Sequence, residues 1–189
     1  MRLILTRHGE TEENKKDILQ GHLPGTLSKE GIEQTKKLAE RLKNEKIDAI
    51  FSSDLKRAKD TTKEIAKFNP NTPVTYTKEL REGFPGKFQG MKETEIDWSK
   101  RPDDAETLQE LQQRAKKFLD SIYDKYPDKT VLFVGHSGIN VSIITVIQNR
   151  PAEDLPKMES LSNTSISIFE ITEDNNHKIH CLNCTKHLK

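Results

Sequence analysis

Thr130-Val131-Leu132-Phe133-Val134-Gly135-His136-Ser137-Gly138 is the stretch whose pattern decides the fold. Four apolar residues in a row, rich in β-branched and aromatic types, read as a strand buried on both faces, as in a parallel sheet. The run stops at Gly135, and from Ile139 to Gln148 the pattern resumes as a helix. A strand that turns directly into a helix is the unit of an α/β sheet. In such sheets ligands bind beyond the carboxyl ends of the strands, and His136 stands at such an end.

Outward from this stretch the pattern repeats. Leu3-Ile4-Leu5 is a second continuous apolar run, ending in Thr6-Arg7-His8-Gly9, where Gly9 permits a sharp turn. Ser28 is placed to cap a helix in which Ile32, Leu38, Ala39 and Leu42 recur at helical spacing. Ala49-Ile50-Phe51 is a further strand. Asp54 is placed to cap the next helix, with Ala58, Thr61, Ile65 and Ala66 on one face. Pro73 to Tyr76 reads as an edge strand. Leu80 to Arg101 is irregular, with a short helix expected near Met91 to Trp98. Leu108, Leu111, Ala115, Phe118, Leu119 and Ile122 mark an amphipathic helix. Pro151 to Pro156 reads as a loop. Two late strands, Ser165 to Ile171 and Lys178 to Leu182, are joined through Asp174-Asn175-Asn176. The alternation predicts an α/β fold: a mostly parallel sheet with helices on both faces, a three-layer α/β/α sandwich. One domain over 1–189 is expected, with a loop and helix cap region at about 82–106.

The chain has 189 residues, enough to bury a core without disulfides. Lys+Arg number 31 and Asp+Glu 30, a net charge of +1, so bulk charge points to neither a nucleic-acid nor a membrane partner. The apolar run at the start is too short for a signal-peptide core or a membrane span. A cytoplasmic protein, monomer or homodimer, is the expectation. Two cysteines, Cys181 and Cys184, rule out a disulfide scaffold.

Three strand ends deliver chemistry to one rim. The first brings Arg7 and His8, the second leads through Ser52-Ser53-Asp54 to Arg57, and the strand at 130–134 brings His136. Each has an ordinary explanation alone: Arg57 as a solvated helix residue, His136 as a core histidine, Glu82 as a surface carboxylate. Together, two arginines, two histidines and nearby helix starts are the chemistry of a phosphate pocket. Guanidinium forks match phosphate oxygens, and helix N-termini favour anions.

These residues resemble a known family. Leu5-Thr6-Arg7-His8-Gly9-Glu10-Thr11, with Asn14, Gln20-Gly21 and Leu27-Ser28-x-x-Gly31-x-x-Gln34, is similar to the opening signature of the histidine phosphatase superfamily, also called phosphoglycerate mutase-like. Phe51-Ser52-Ser53-Asp54-Leu55-x-Arg57, Leu80-Arg81-Glu82, Val134-Gly135-His136-Ser137-Gly138 and Asn163-Thr164-Ser165 resemble its later blocks, in order. The resemblance implies a phosphatase for small phosphorylated metabolites that needs no metal or other cofactor. His8 is then the nucleophile, neutral, with the Gly9 carbonyl fixing its tautomer. Arg7, Arg57 and His136 hold the phosphoryl oxygens. Asn14, Gln20, Gly21 and the N–H of Ser137 bind substrate. Glu82 protonates the leaving oxygen and later activates water; it must start protonated, which a partly desolvated cleft favours. Two departures stand out. Ala105-Glu106-Thr107 replaces the more usual Gly-Glu-Ser, and Gly83-Phe84-Pro85 reshapes the rim beside Glu82.

A phosphoglycerate mutase and a non-catalytic phospho-ligand-binding module are the alternatives. The segment between Glu82 and His136 is short for a mutase, and all five key residues are present, which disfavours a decayed binder. Lys87, Lys92 and Arg101 are candidates for a second anionic group. His177, His180, Cys181, Cys184 and His187 have zinc-ligand types, but Cys181 and a residue three further along a strand face opposite ways, so no metal site is expected.

Overall fold

The computed structural model describes residues 1–174 and 176–189. The chain forms β1 (Arg2–Arg7), α1 (Lys29–Leu42), β2 (Ala49–Ser53), α2 (Lys56–Phe68), β3 (Val74–Thr77), α3 (Leu108–Tyr123), β4 (Thr130–Gly135), α4 (Ser137–Ile147), β5 (Ile166–Glu170) and β6 (Lys178–Cys184). The strands make one sheet in the order β3-β2-β4-β1-β5-β6. β3, β2, β4 and β1 run parallel, β5 pairs antiparallel with β1, and β6 pairs antiparallel with β5, so that β5 alone runs against the others. The expected mostly parallel sheet is therefore present.

Alternation along the strands builds the layers. Leu3 and Leu5 of β1, Phe51 of β2, and Val131 and Phe133 of β4 face one core, shared with α3 and α4. Ile4, Ile50, Leu132 and Val134 face the other, under α1 and α2. Each fully buried Leu or Phe contributes about 2 kcal/mol, which is why β1 and β4 read as unbroken apolar runs. The Phe51, Phe118 and Phe133 rings meet with centroids 5.1–6.0 Å apart.

Five local expectations need correction. Pro151 to Pro156, expected as a loop, carries a 3₁₀ helix over Ala152–Lys157. Asp54 does not cap α2: the residue at the N-cap is Leu55, without a side-chain cap bond. The Asp54 carboxylate instead takes a two-pronged ion pair from Arg81, both contacts at 2.6 Å, which holds it away from the helix. Ile32 does not belong to the buried face of α1; it is 42% exposed, while Gly31 and Thr35 are buried. The helix expected near 91–98 is a single 3₁₀ turn at Glu93–Glu95, preceded by another at Gly86–Phe88. β6 continues to Cys184, past the expected end at Leu182, with Asn183 in the left-handed region at φ 47°. Asn175, in the expected connection before β6, lies outside the described residues.

Ser28 caps α1 as expected, its Oγ accepting from the Gly31 N–H at 2.9 Å, a bond of the kind that contributes about 1 kcal/mol. No helix among the described residues is long and apolar enough to cross a membrane.

Candidate active site

Because β1, β2 and β4 are adjacent and parallel, their carboxyl ends open on one rim. His8 follows the end of β1, Arg57 sits in the first turn of α2, and His136 stands between β4 and α4. The sheet thus gathers three of the expected residues from distant parts of the chain.

His8 is 2% exposed and fixed on every side. Its backbone N–H donates to the Gly135 carbonyl at 3.0 Å, a bond that extends the β1–β4 pairing. Its carbonyl accepts from Asn163 Nδ2 at 3.0 Å. The next residue, Gly9, donates its N–H to Thr61 Oγ1 at 3.0 Å. The ring Nδ1 is 2.7 Å from the Gly9 carbonyl, and Nε2 is 3.1 Å from Arg57 Nε. A carbonyl can only accept and a guanidinium can only donate. His8 therefore carries its proton on Nδ1 and a lone pair on Nε2. Burial, followed by the Arg57 and Arg7 charges, holds its pKa well below the usual histidine value, so the ring is neutral at pH 7.

Arg57 is 1% exposed, and each of its three guanidinium nitrogens donates a hydrogen bond. Nε points to both His8 Nε2 and His136 Nδ1, each at 3.1 Å. One terminal nitrogen donates to the Leu23 carbonyl at 2.6 Å and the other to the Gly21 carbonyl at 2.8 Å. Burial and the Arg7 charge push its pKa down to about 10, which leaves it protonated at neutral pH. Gly21, at φ +51°, turns its carbonyl onto Arg57 and also lines the cleft.

His136 Nε2 lies 2.9 Å from Ser53 Oγ. Since Nδ1 accepts from Arg57, the proton sits on Nε2. Burial, with Arg57 and His8 adding to it, keeps this ring neutral too. Arg7 donates to the Leu161 carbonyl at 2.6 Å, while its buried Nε has no partner among the described residues. Burial lowers the Arg7 pKa, against the raising pull of Glu82.

Glu82 reaches the same rim from the loop after β3. Its carboxylate accepts from the N–H groups of Gly138 and Ile139, both at 3.2 Å, at the start of α4. Its own peptide is clamped from outside: His22 Nε2 is 2.9 Å from the Glu82 carbonyl. Arg114, from α3, donates to the carbonyls of Glu79 and Arg81 at 2.6 and 3.1 Å and forks onto Glu106 at 2.7 and 2.8 Å. Glu106 also accepts from the Phe84 N–H at 3.2 Å. His22 and Arg114 were not foreseen as site residues, and Glu106 only as part of the Ala105-Glu106-Thr107 departure, which lines the cleft through Ala105 and Glu106. The only signals for them were the place of His22 beside Gln20-Gly21 and of Glu106 ahead of the long helix.

Asn14, Gln20 and Ser137 all line the cleft. Asn14 Oδ1 accepts from Thr11 N–H and Oγ at 3.1 and 3.0 Å. Gln20 is buried, and its Oε1 lacks a partner among the described residues. Ser137 Oγ bonds to Ser160 Oγ at 2.8 Å. Of the basic residues proposed for a second anion, Arg101 lines the cleft, and Lys87 and Lys92 do not. At the C-terminus the Cys181 thiol faces the Ile166 carbonyl at 3.7 Å, and burial pushes its pKa up. Among the described residues no three His, Cys, Asp or Glu side chains are grouped to hold a metal ion.

The first turns of α1 cradle the loop after His8. Ser28 N–H donates to the Glu10 carbonyl at 2.9 Å, Ser28 Oγ donates to the Glu10 carboxylate at 2.6 Å, and Gln34 Oε1 accepts from the Glu10 N–H at 3.1 Å. Gly31 lies against the Glu10 carbonyl so closely that a Cβ there would overlap it. This contact accounts for the Ser28-x-x-Gly31-x-x-Gln34 spacing.

The sequence profile of the histidine phosphatase superfamily (branch 1) matches residues 3–185. The chain is 34% identical over 208 aligned positions to a probable phosphatase of Schizosaccharomyces pombe, covering 100% of this chain and 96% of that one. It is 33% identical to phosphoserine phosphatase 1 of Hydrogenobacter thermophilus, covering 100% and 94%. Among solved structures, Bacillus stearothermophilus YhfR superposes with a TM-score of 0.91 at 26% identity, covering 100% of this chain and 99% of that one. The signature blocks, the sheet order and these similarities agree: the chain belongs to the histidine phosphatase superfamily, branch 1, a family of phosphate-ester hydrolases.

Proposed function

We propose that this enzyme hydrolyses small phosphomonoesters through a phosphohistidine on His8. The observation that carries the reading is the neutral His8 ring at the cleft floor, its Nδ1–H held by the Gly9 carbonyl and its Nε2 left without a proton, accepting from Arg57. A nucleophile must keep its lone pair, and this tautomer does. In the first step a P–N bond forms at Nε2 while the ester P–O bond breaks, and the proton of Glu82 goes to the leaving oxygen. In the second, water attacks phosphorus, the P–N bond breaks, and the water proton returns to Glu82. Arg7, Arg57 and the Ser137 N–H offset the charge on the phosphoryl oxygens, the next two N–H groups of α4 being taken by Glu82. Since Ser53 takes the Nε2 proton of His136, this ring donates to phosphate only after protonation at Nδ1. Asn14, Gln20, Gly21 and Ser137 complete the pocket, and residues 82–106 cover it as a cap within one domain. The Hydrogenobacter relative carries phosphoserine in its name, which makes phosphoserine one compound to include in a screen.

The test is rapid quenching with a ³²P-labelled monoester. Acid-labile, base-stable label on the wild type and none on His8→Ala supports the reading. Undiminished phosphate release by His8→Ala overturns it. Interconversion of 2- and 3-phosphoglycerate faster than hydrolysis would replace the hydrolase with a mutase.

A further inference from the structure

The cleft around His8 has a volume of about 620 Å³, in the range of pockets that enclose a whole small molecule. The proposed phosphoryl site is made by His8, Arg7, Arg57 and Ser137 at the floor of this cleft. The remaining lining is where the alcohol half of the ester must sit, and it is mostly apolar: Ile18, Phe84, Phe88, Trp98, Leu108 and Leu111 all contribute. The Trp98 and Phe88 rings meet edge to face with centroids 6.1 Å apart. Trp98 is nonetheless 62% exposed, an aromatic surface left open at the mouth of the cleft.

The charges in this half oppose a second acidic group on the substrate. Its carboxylates are Glu93 and Glu106, and its one cation among the described lining residues is Arg101. Glu106 is already neutralised by Arg114. A compact acid such as phosphoglycerate would have to bury its carboxylate among aromatic rings beside Glu93, with only Arg101 to meet it, and burying a poorly paired charge is unfavourable. A bulky apolar alcohol faces no such cost and removes ring and aliphatic surface from water.

We infer that the preferred substrates are phosphomonoesters of bulky apolar or aromatic alcohols, in preference to small polyanionic phosphometabolites. The inference rests on the phosphatase reading above. The experiment compares kcat/KM for 2-phenylethyl phosphate, ethyl phosphate, phosphoserine and 3-phosphoglycerate, all alkyl esters, so that differences report binding of the alcohol half. 2-Phenylethyl phosphate is expected to exceed both ethyl phosphate and 3-phosphoglycerate by about tenfold, the scale of hydrophobic-pocket discrimination. In Trp98→Ala, the ratio of 2-phenylethyl to ethyl phosphate should fall several-fold. A wild-type ratio of about one or below, or a ratio unmoved in Trp98→Ala, overturns the inference while leaving the phosphatase reading intact. If that variant does not fold, the wild-type comparison decides alone. Release of phosphate from none of the four esters, nor from any broader panel, would count against the phosphatase reading itself.

Discussion

The Nε–H of Arg57 points at Nε2 of His8 across 3.1 Å, so the lone pair proposed to attack phosphorus is held by a cation. The same N–H reaches His136 Nδ1 at 3.1 Å. This bond to His8 must give way before attack, and a phosphoryl oxygen is the natural acceptor to take it over. Arg57→Lys keeps the charge but cannot span His8, His136 and the carbonyls of Gly21 and Leu23 with one fork. Its kcat should fall roughly a hundredfold, measured by steady-state phosphate release. Near wild-type kcat would show that charge alone suffices.

Stability should depend on two buried histidines. His8 and His136 both have folded-state pKa values well below 6.5, chiefly through burial. Below pH 6.5 the unfolded chain binds protons that the folded protein refuses, so unfolding is favoured as pH falls. Thermal midpoints should be flat near pH 8 and decline from about pH 6.5 downward, and His136→Asn should flatten part of that decline. A midpoint that rises on acidification would contradict the neutral-ring assignment.

Arg114 holds Glu82 through the backbone, by the carbonyls of Glu79 and Arg81 and by Glu106. Arg114→Ala should lower kcat about tenfold for alkyl phosphates, whose leaving oxygen needs a proton, and much less for p-nitrophenyl phosphate, whose leaving group does not. The ratio of the two rates separates a positioning role from general destabilisation, which would depress both alike.

Gly31→Ala should destabilise the protein by about 2 kcal/mol, the scale of overpacking at a rigid contact. The added carbon meets the Glu10 carbonyl, which is backbone and cannot rotate away. Urea titration reads the loss. An unchanged midpoint would mean that α1 can move away from the nucleophile loop at little cost.

The layered sheet and most of the pocket were legible because they depend on strand burial and on residues at strand ends. Val131–Val134 and Leu3–Leu5 are apolar on both faces since both faces are covered. Features set by packing between distant segments were not legible. Ile32 fits the helical period, yet α1 meets the nucleophile loop through Gly31 and Thr35, so the large side chain is left outside. Asp54 has the chemistry of a cap, but Arg81, 27 residues later, offers a stronger partner. His22 and Arg114 act on backbone carbonyls of the Glu82 loop, and a carbonyl carries no side-chain signature in the sequence. Helix expectation failed at 91–98 because backbone bonds to a distant segment win there: the Met91 carbonyl accepts from the Leu19 N–H at 2.9 Å and the Glu93 N–H donates to the Asp17 carbonyl at 2.8 Å, which keeps Lys92 extended and leaves only the turn at Glu93–Glu95.

The support of His8 also sets a chronology. Its N–H is bound by Gly135 and its carbonyl by Asn163, while Asn140 Nδ2 reaches back to the Thr6 carbonyl at 2.9 Å. His8, the proposed nucleophile, precedes these partners by more than a hundred positions in the chain. Such sequence-distant closures come late in folding. A nascent chain that stops short of β4 holds Arg7 and His8 but none of these supports, so the proposed centre can form only once β4, Asn140 and Asn163 have emerged.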